Sequence, residues 1–158
     1  MLALFHARKE APRLDTLRQL SLFATLSHSE LRVVDALLHE RRYLKGEIIF
    51  DEGEEGQAIY VVIGGRVLIC RQGEPETGRI AEIDAGVAFG ELALLDNAPR
   101  SAQARAAEDC VLASLSRGDF ESLLDTHAVT ASKISLQLAR QLGKQLRERG
   151  LAADQRPL

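Results

Sequence analysis

The chain has 158 residues and a mass of 17.3 kDa, which is the length of one domain with a short extension at most. Apolar residues make up 46% and charged residues 27%, a composition typical of a soluble globular chain. Twenty basic residues against 23 acidic ones give a net charge of −3, which argues against a dedicated nucleic-acid-binding protein. No apolar run approaches the length of a membrane span.

Cysteine and histidine usage indicates a reduced chain without a metal centre. The two cysteines, Cys70 and Cys110, fit neither a disulfide framework nor a four-ligand metal site. The four histidines are scattered and have no cysteine or carboxylate neighbours at ligand spacing. No grouping of residues indicates nucleophilic catalysis, so we expect a cytoplasmic protein that is not an enzyme.

The N-terminal 45 residues contain no glycine, and their apolar residues follow helical spacing. The run from Ser27 to Glu30 has the form of a capping box, in which Ser27 is the N-cap. This pattern predicts a helix from about Ser29 to His39, and Asp15 to Phe23 forms a second, shorter helical candidate.

The middle of the chain is rich in turns and acidic residues. Residues 46–98 hold nine of the twelve glycines, with eleven acidic and three basic side chains. Short runs of β-branched and aromatic residues lie between these glycines and predict strands. The predicted strands are Tyr43-Leu44, Ile48–Phe50, Ala58–Ile63, Val67–Cys70, Ile80–Ile83, Ser101–Ala106 and Val111–Leu115. About eight such strands predict a mainly β fold with flanking α-helices, in a sandwich or jelly-roll-like architecture.

The C-terminal part returns to helical spacing. Asp119–Leu124 forms one or two predicted helical turns, and a longer helix is predicted from about Val129 to Arg149. Its apolar stripe, which faces either the core of the protein or a partner helix, consists of Ala131, Ile134, Leu138, Leu142 and Leu146. We predict an extension over 1–19, one domain over 20–150 and a tail over 151–158.

The segment 89–102, FGELALLDNAPRSA, combines residues suited to an unusual ligand. A short helix that begins after Gly90 leaves free N–H groups that attract an anion, and Arg100 adds a planar fork suited to phosphate. Glu91 would repel that anion unless it binds another part of the ligand, such as a ribose hydroxyl. The pair therefore suggests a sugar hydroxyl beside a singly charged phosphate. The alternative is that Glu91 only pairs with the helix dipole and Arg100 is a surface charge.

This segment resembles the phosphate-binding cassette of the cyclic-nucleotide-binding domain family, to which the catabolite activator protein belongs. The glycine-spaced run 45–56 resembles the strand and turn that precede the cassette in that family. Ile59–Val62 followed by Gly65–Val67 resembles its next hairpin, and the similarity covers about residues 20–150. The resemblance implies an eight-stranded β-roll with an N-terminal helical segment and a long C-terminal helix.

The resemblance also implies a role for each residue of the cassette. Glu91 would accept a hydrogen bond from the ribose 2′-hydroxyl, and Gly90 would let the backbone approach the ligand closely. The implied phosphate contacts are Arg100, Ser101 and the backbone amides of Leu92 and Ala93. The positions that line the sugar and base in relatives are Phe50, Ile80, Leu92, Gln145, Leu146 and Arg149. Phe50, Ile80 and Leu92 could equally be plain core residues.

The implied function is a stand-alone cyclic-nucleotide sensor. On binding, its C-terminal helix would change position and regulate an effector protein that the sequence does not identify. Gln145-Leu146 departs from the Thr-Ser pair of the catabolite activator protein, so the resemblance leaves the choice of base open. We expect cAMP rather than cGMP, because cAMP is the commoner ligand of bacterial members of the family, with cyclic dinucleotides as a further option. Only residues 150–158 follow the long helix, so we expect no helix-turn-helix and no direct DNA binding.

Two further questions stay open at the level of sequence. The long helix could form a homodimer through its apolar stripe, which we favour, or it could cap the nucleotide within one chain. The rival function is a degenerate β-roll that acts as a protein-interaction module and binds no nucleotide.

Overall fold

A computed structural model of the chain describes residues 13–154, with side chains described over 13–150. The predicted 1–19 extension and 151–158 tail therefore lie largely outside the described residues. Residues 13–19 are helical, as the helical candidate in this region predicts. The first elements after them are a 3₁₀ turn at Ser21–Phe23 and helix α1 at His28–Leu37.

Eight strands and three further helices complete the fold. The strands are β1 (His39–Tyr43), β2 (Ile48–Phe50), β3 (Ala58–Gly64), β4 (Arg66–Arg71), β5 (Glu74–Asp84), β6 (Ala88–Phe89), β7 (Gln103–Ala106) and β8 (Cys110–Ser116). The helices are α2 (Leu92–Leu95), α3 (Arg117–Thr126) and α4 (Ala128–Asp154). The predicted mainly β class with flanking helices is confirmed.

The strands form two antiparallel sheets of four strands each. One sheet has the order β1-β8-β3-β6 and the other β2-β7-β4-β5. The sequence pattern missed β6, because a strand of two residues shows no alternation to read. Strand β5 extends well beyond the predicted Ile80–Ile83, through charged residues at the edge of its sheet, where polar side chains are usual.

The space between the sheets is filled by apolar side chains. The buried residues of this cluster are Phe50, Val62, Val67, Phe89, Ala104, Ala106, Cys110 and Leu112. A larger second cluster packs the helices against the other face of the β1-β8-β3-β6 sheet, through side chains that include Ile59, Val61 and Leu115. Cys70 and Cys110 are free, buried thiols. Within residues 13–154, no helix is both long and apolar enough to cross a membrane.

Helix α1 begins at the predicted capping box. The Ser27 hydroxyl accepts from the Glu30 N–H at 3.3 Å, and Glu30 Oε1 accepts from the Ser27 N–H at 2.9 Å. Glu30 also accepts from Lys133 Nζ at 2.7 Å and from the Thr130 hydroxyl at 3.1 Å, which joins α1 to α4. The ion pair with Lys133 and these hydrogen bonds lower the pKa of Glu30 to about 2.

The predicted apolar stripe of α4 faces the core of the protein itself over its first turns. Ala131, Ile134 and Leu138 are buried among the residues of the helical cluster. Leu142 is half-buried, and Leu146 is 69% exposed. Packing against the chain's own core already covers the first three positions of this stripe. These positions therefore cannot form a homodimer interface.

Candidate functional site

The cassette contains a short helix, α2, which is preceded by a residue in the left-handed conformation and followed by a tight loop. Gly90 has φ of +71°, which a residue with a Cβ rarely adopts, and Glu91 follows as the N-cap of α2. The N–H of Asp96 donates to Leu92 O at 2.9 Å and ends the helix. The Asp96 side chain then accepts from the Ala98 N–H at 3.0 Å and forms the loop that leads to Arg100.

Arg100 reaches back across the cassette from the loop before β7. Its Nη1 donates to Gly90 O at 3.2 Å, and its Nη2 donates to Ala58 O at 2.7 Å. The guanidinium carbon lies 4.1 Å from the centroid of the Phe50 ring and 5.8 Å from that of Tyr60. Such contacts contribute about 0.5–2 kcal/mol each, so carbonyls and rings fix the orientation of the guanidinium.

The charge of Arg100 has no carboxylate partner within 4.0 Å among residues 13–154. Burial lowers the pKa of Arg100, whereas Tyr60, Glu54 and Glu91 raise it. A guanidinium remains charged at neutral pH under such shifts. The site therefore holds a half-buried positive charge that an anion would stabilise.

The turn between β2 and β3 lies against the residues that lead into Arg100. The Gly53 N–H donates to Arg100 O at 2.8 Å, and the Arg100 N–H donates to Glu54 O at 2.7 Å. A Cβ on the buried Gly56 would lie 3.2 Å from Ala93 Cβ and 3.4 Å from Arg100 Nε. The turn therefore lies directly against the cassette, and a Cβ at position 56 would fit only if its neighbours moved by a few tenths of an ångström.

The acidic residues at the start of this turn have protein partners. Asp51 Oδ1 accepts from Nε2 of the buried Gln103 at 2.5 Å. Glu52 accepts from Arg71 Nη1 at 2.9 Å and from the Gln72 N–H at 3.1 Å, and these bonds lower the pKa of Glu52. Within residues 13–154, no cluster of three or more metal-ligating side chains occurs.

The predicted phosphate and ribose residues lie at the start of α2 and in the loop that follows it. Glu91 is half-buried beside Gly90, and Ser101 is exposed directly after Arg100. The Ala93 N–H, which the resemblance assigns to phosphate, donates here to Gly90 O at 3.1 Å. The Ser101 carbonyl accepts from Arg71 Nη1 at 3.3 Å.

The residues predicted to line the sugar and base lie in different environments. Phe50 is buried beneath Arg100, whereas Ile80 on β5 and Leu92 on α2 are about half exposed. On α4, Gln145 is half-buried, and Leu146 and Arg149 are exposed to solvent. One turn earlier on the same helix, Gln141 Nε2 donates to Ala88 O at 3.2 Å, which joins α4 to the strand that enters the cassette.

Sequence reasoning missed Arg117, the first residue of α3. Its guanidinium donates to the carbonyls of Gly56, Ala93 and Asp96 at 2.5–2.8 Å and to the Asn97 side chain. The signal that could have revealed it is electrostatic. A cation in the first helical turn opposes the helix dipole, so it calls for other contacts.

Two four-stranded antiparallel sheets, with the segment that carries α2 and Arg100 between β6 and β7, form a β-roll with a helical cassette. The family model for the cyclic nucleotide-binding domain matches residues 40–127, which is more than half of the chain. The chain belongs to the cyclic nucleotide-binding domain family.

Individual relatives agree with this assignment. The cyclic AMP receptor protein of Thermus thermophilus is 36% identical over 124 residues, which are 77% of this chain and 56% of that protein. A cAMP-dependent protein kinase regulatory subunit of Candida albicans is 34% identical over 70% of this chain and 23% of its own length. A cyclic nucleotide-binding domain from Methylobacillus flagellatus matches with a TM-score of 0.74 at 26% identity, over 85% of this chain and 76% of that one. The chain thus spans about half or less of these two sequence relatives.

Proposed function

We propose that the chain is a cAMP sensor in which Arg100 binds the cyclic phosphate and Glu91 binds the ribose 2′-hydroxyl. The observation that carries the proposal is the half-buried, carboxylate-free guanidinium of Arg100, which is oriented beside the cassette. Its present acceptors are neutral carbonyls, whereas a phosphate carries the opposite charge and can accept two parallel N–H···O bonds from one guanidinium. A phosphate monoanion is therefore a better partner than either carbonyl.

The remaining phosphate contacts come from Ser101 and from the backbone amides of Leu92 and Ala93. The Ala93 amide would share or exchange its bond to Gly90 O when the anion is bound. Hydrogen bonds to charged groups contribute about 1.5–3 kcal/mol each. Three or four of them, together with burial of the base, give micromolar affinity, which corresponds to about −8 kcal/mol.

The base and the sugar face the remaining predicted residues. Leu92 and Ile80 expose apolar surface on α2 and β5 that can cover a base, and Phe50 supports Arg100 from below. We place Gln145, Leu146 and Arg149 of α4 against the base, with α4 closing over it. The names of the relatives favour cAMP over cGMP.

Movement of α4 is the proposed output. Gln141 on α4 is bonded to Ala88, two residues before Gly90, so a displacement of the cassette entry strains or releases this bond. Residues 143–150 are mostly exposed, so a new position for this part of α4 would cost little buried surface. The new position would present a different surface to an effector protein.

We also propose a homodimer through α4, but on a different face from the predicted stripe. Val129 and Leu136 are 67% and 51% exposed, and their spacing of about two helical turns places them on one side of the helix. That side is opposite the buried Ala131 and Ile134. A second copy of α4 is the partner whose apolar side matches it.

The test compares Arg100→Ala with Arg66→Ala, a matched arginine whose ion pairs with Asp84 and Glu82 lie outside the cassette. With millimolar cAMP and micromolar affinity, ligand stabilises the parent by roughly 4 kcal/mol, which raises Tm by roughly 10 °C. Arg100→Ala should lose at least about a third of this shift, since its affinity falls at least about tenfold, and Arg66→Ala should keep all of it.

The rival proposal is an interaction module that binds no nucleotide. It predicts that neither cAMP nor cGMP shifts Tm of the parent at millimolar concentration. Equal shifts in the parent and in Arg100→Ala would leave nucleotide binding in place and overturn the assignment of the phosphate site.

A further inference from the structure

Arg117 lies at a position that disfavours its charge. It is the first residue of α3, whose N-cap is Ser116, and the positive end of the helix dipole repels a cation there. The helix start is otherwise well formed, because the Ser116 hydroxyl accepts from the Asp119 N–H at 3.1 Å. An arginine in this first turn is thus stabilised by contacts outside its own helix.

Those contacts reach two segments that are far apart in the chain. On the cassette side, Nε donates to Ala93 O at 2.7 Å, Nη2 donates to Asp96 O at 2.8 Å, and Nη1 donates to Asn97 Oδ1. On the other side, Nη2 donates to Gly56 O at 2.5 Å. One planar group therefore holds the C-terminal end of α2 against the turn that precedes β3.

Arg117 and the phosphate arginine hold the same short segment, residues 56–58. Arg100 donates to Ala58 O, whereas Arg117 donates to Gly56 O through its side chain and to Gln57 O through its N–H at 2.8 Å. The two guanidinium charges also repel each other, and Arg117 contributes to the lowered pKa of Arg100. An anion bound at Arg100 would offset this repulsion.

Helix α3 connects this contact to the proposed output. Phe120 and Leu123 of α3 are buried in the same cluster as Ile134 and Leu138 of α4. A change in the position of Arg117 relative to the cassette therefore displaces a helix that is packed firmly against α4.

We propose that Arg117 is a positioning residue that fixes the cassette against residues 56–58 and transmits occupancy of the site to α3 and α4. The transmission part rests on the proposed function, because it requires nucleotide at Arg100. The positioning part requires only the contacts of Arg117 in the free protein.

The test uses Arg117→Lys, with Arg66→Lys as the matched control outside the cassette. A lysine keeps the charge, but its single ammonium cannot hold both segments at once. In the free protein, we expect faster hydrogen exchange of the Ala93, Leu94 and Asp96 amides in Arg117→Lys only. The affinity for cAMP should fall about tenfold.

A second readout separates transmission from simple loss of structure. In Arg117→Lys, saturating cAMP should still slow the hydrogen exchange of the cassette amides. The change in exchange that cAMP causes in α3 and α4 of the parent should be lost. The parent and Arg66→Lys should show both changes. Asn97→Ala removes one acceptor of Arg117 on an exposed loop and should show the same effects more weakly. It replaces Arg117→Lys in the test if that variant does not fold.

Parent-like exchange and affinity in Arg117→Lys, or in Asn97→Ala where it replaces that variant, would overturn the inference. Retention of the cAMP response in α3 and α4 would overturn the transmission part alone. If the parent gives no response to cAMP at all, the proposed function fails. In that case, the positioning role of Arg117 is tested only by the hydrogen exchange of the cassette amides, compared between the nucleotide-free parent and Arg117→Lys.

Discussion

Glu91 is the side chain whose role separates a cyclic-nucleotide site from a general anion site. A carboxylate close to Arg100 would weaken the binding of a simple phosphate, yet it is half-buried beside the cassette. The proposed ribose hydroxyl, which would donate to Glu91, accounts for a carboxylate at this position. The same arginine without Glu91 would discriminate little between sugars.

Replacement of Glu91 by Ala should therefore change selectivity more than it changes affinity for phosphate. The parent should bind cAMP more tightly than 2′-deoxy-cAMP by roughly tenfold or more, as expected for one charge-assisted hydrogen bond. In Glu91→Ala, competition titrations should give nearly equal affinities for the two ligands. A variant that keeps the parental preference would show that another group binds the 2′-hydroxyl.

Gly90 provides a second test at the same scale. A Cβ at this position would lie 2.6 Å from Arg100 Nη1, and φ of +71° strains any residue other than glycine. Gly86 has φ of +93° but no atom within 4 Å of its Cβ position, so Gly86→Ala controls for the backbone strain.

Both alanine variants should lose about 1 kcal/mol of folding stability, as measured by urea unfolding. Only Gly90→Ala should also weaken cAMP binding, because its methyl group displaces the Arg100 guanidinium. Equal affinities in the two variants would indicate that Arg100 moves freely and is not oriented by this contact.

Local sequence signals predicted those elements whose contacts are close in the chain. The capping box at Ser27 and Glu30 was readable because both partners lie within one helical turn. The cassette was readable because Gly90, Glu91 and Arg100 occupy one continuous segment.

Contacts between segments that are distant in the chain could not be predicted from such local signals. Arg117 takes its acceptors from 20 to 61 residues away, so the neighbouring sequence does not reveal them. The packing partner of α4 could not be predicted for a related reason. The sequence predicted one apolar stripe through Ile134 that could face the core or a partner helix, and only packing shows that its first three positions face the core.

The contact between α1 and α4 makes the stability of the fold depend on pH. The Glu30 carboxylate is stabilised by Lys133, and its pKa is about 2 in the folded chain against an ordinary value of 4.5. The unfolded chain therefore binds the proton more tightly in this range, and stability rises with pH. The contribution is fully present above about pH 4.5 and is lost as the pH falls towards 2.

Glu30→Gln should flatten this dependence. The free energy of unfolding in urea, measured from pH 2.5 to 6, should rise less steeply between pH 2.5 and 4.5 than in the parent. Glu121→Gln, at an exposed position on α3, should follow the parental profile. A Glu30→Gln profile that is parallel to the parental one would show that this carboxylate is not held ionised by the folded state.

At the scale of the whole molecule, the proposed assembly depends on the outer side of α4. Leu136→Glu places a charge on the exposed apolar side of α4 and should convert a dimer to a monomer. Glu148→Lys changes the charge of the same helix about 120° around its axis from Leu136 and should leave the dimer intact. Mass measured by light scattering distinguishes these results, and a monomeric parent would rule out the proposed dimer.

The whole molecule carries a net charge of −3, so long-range electrostatics do not draw an anion to it. Affinity for a nucleotide must come from the short-range contacts of the cassette. Calorimetric titration of the parent chain with cAMP tests this claim most directly. We predict one ligand per chain with micromolar affinity, whereas an absence of heat at millimolar cAMP, at two temperatures, would contradict the account.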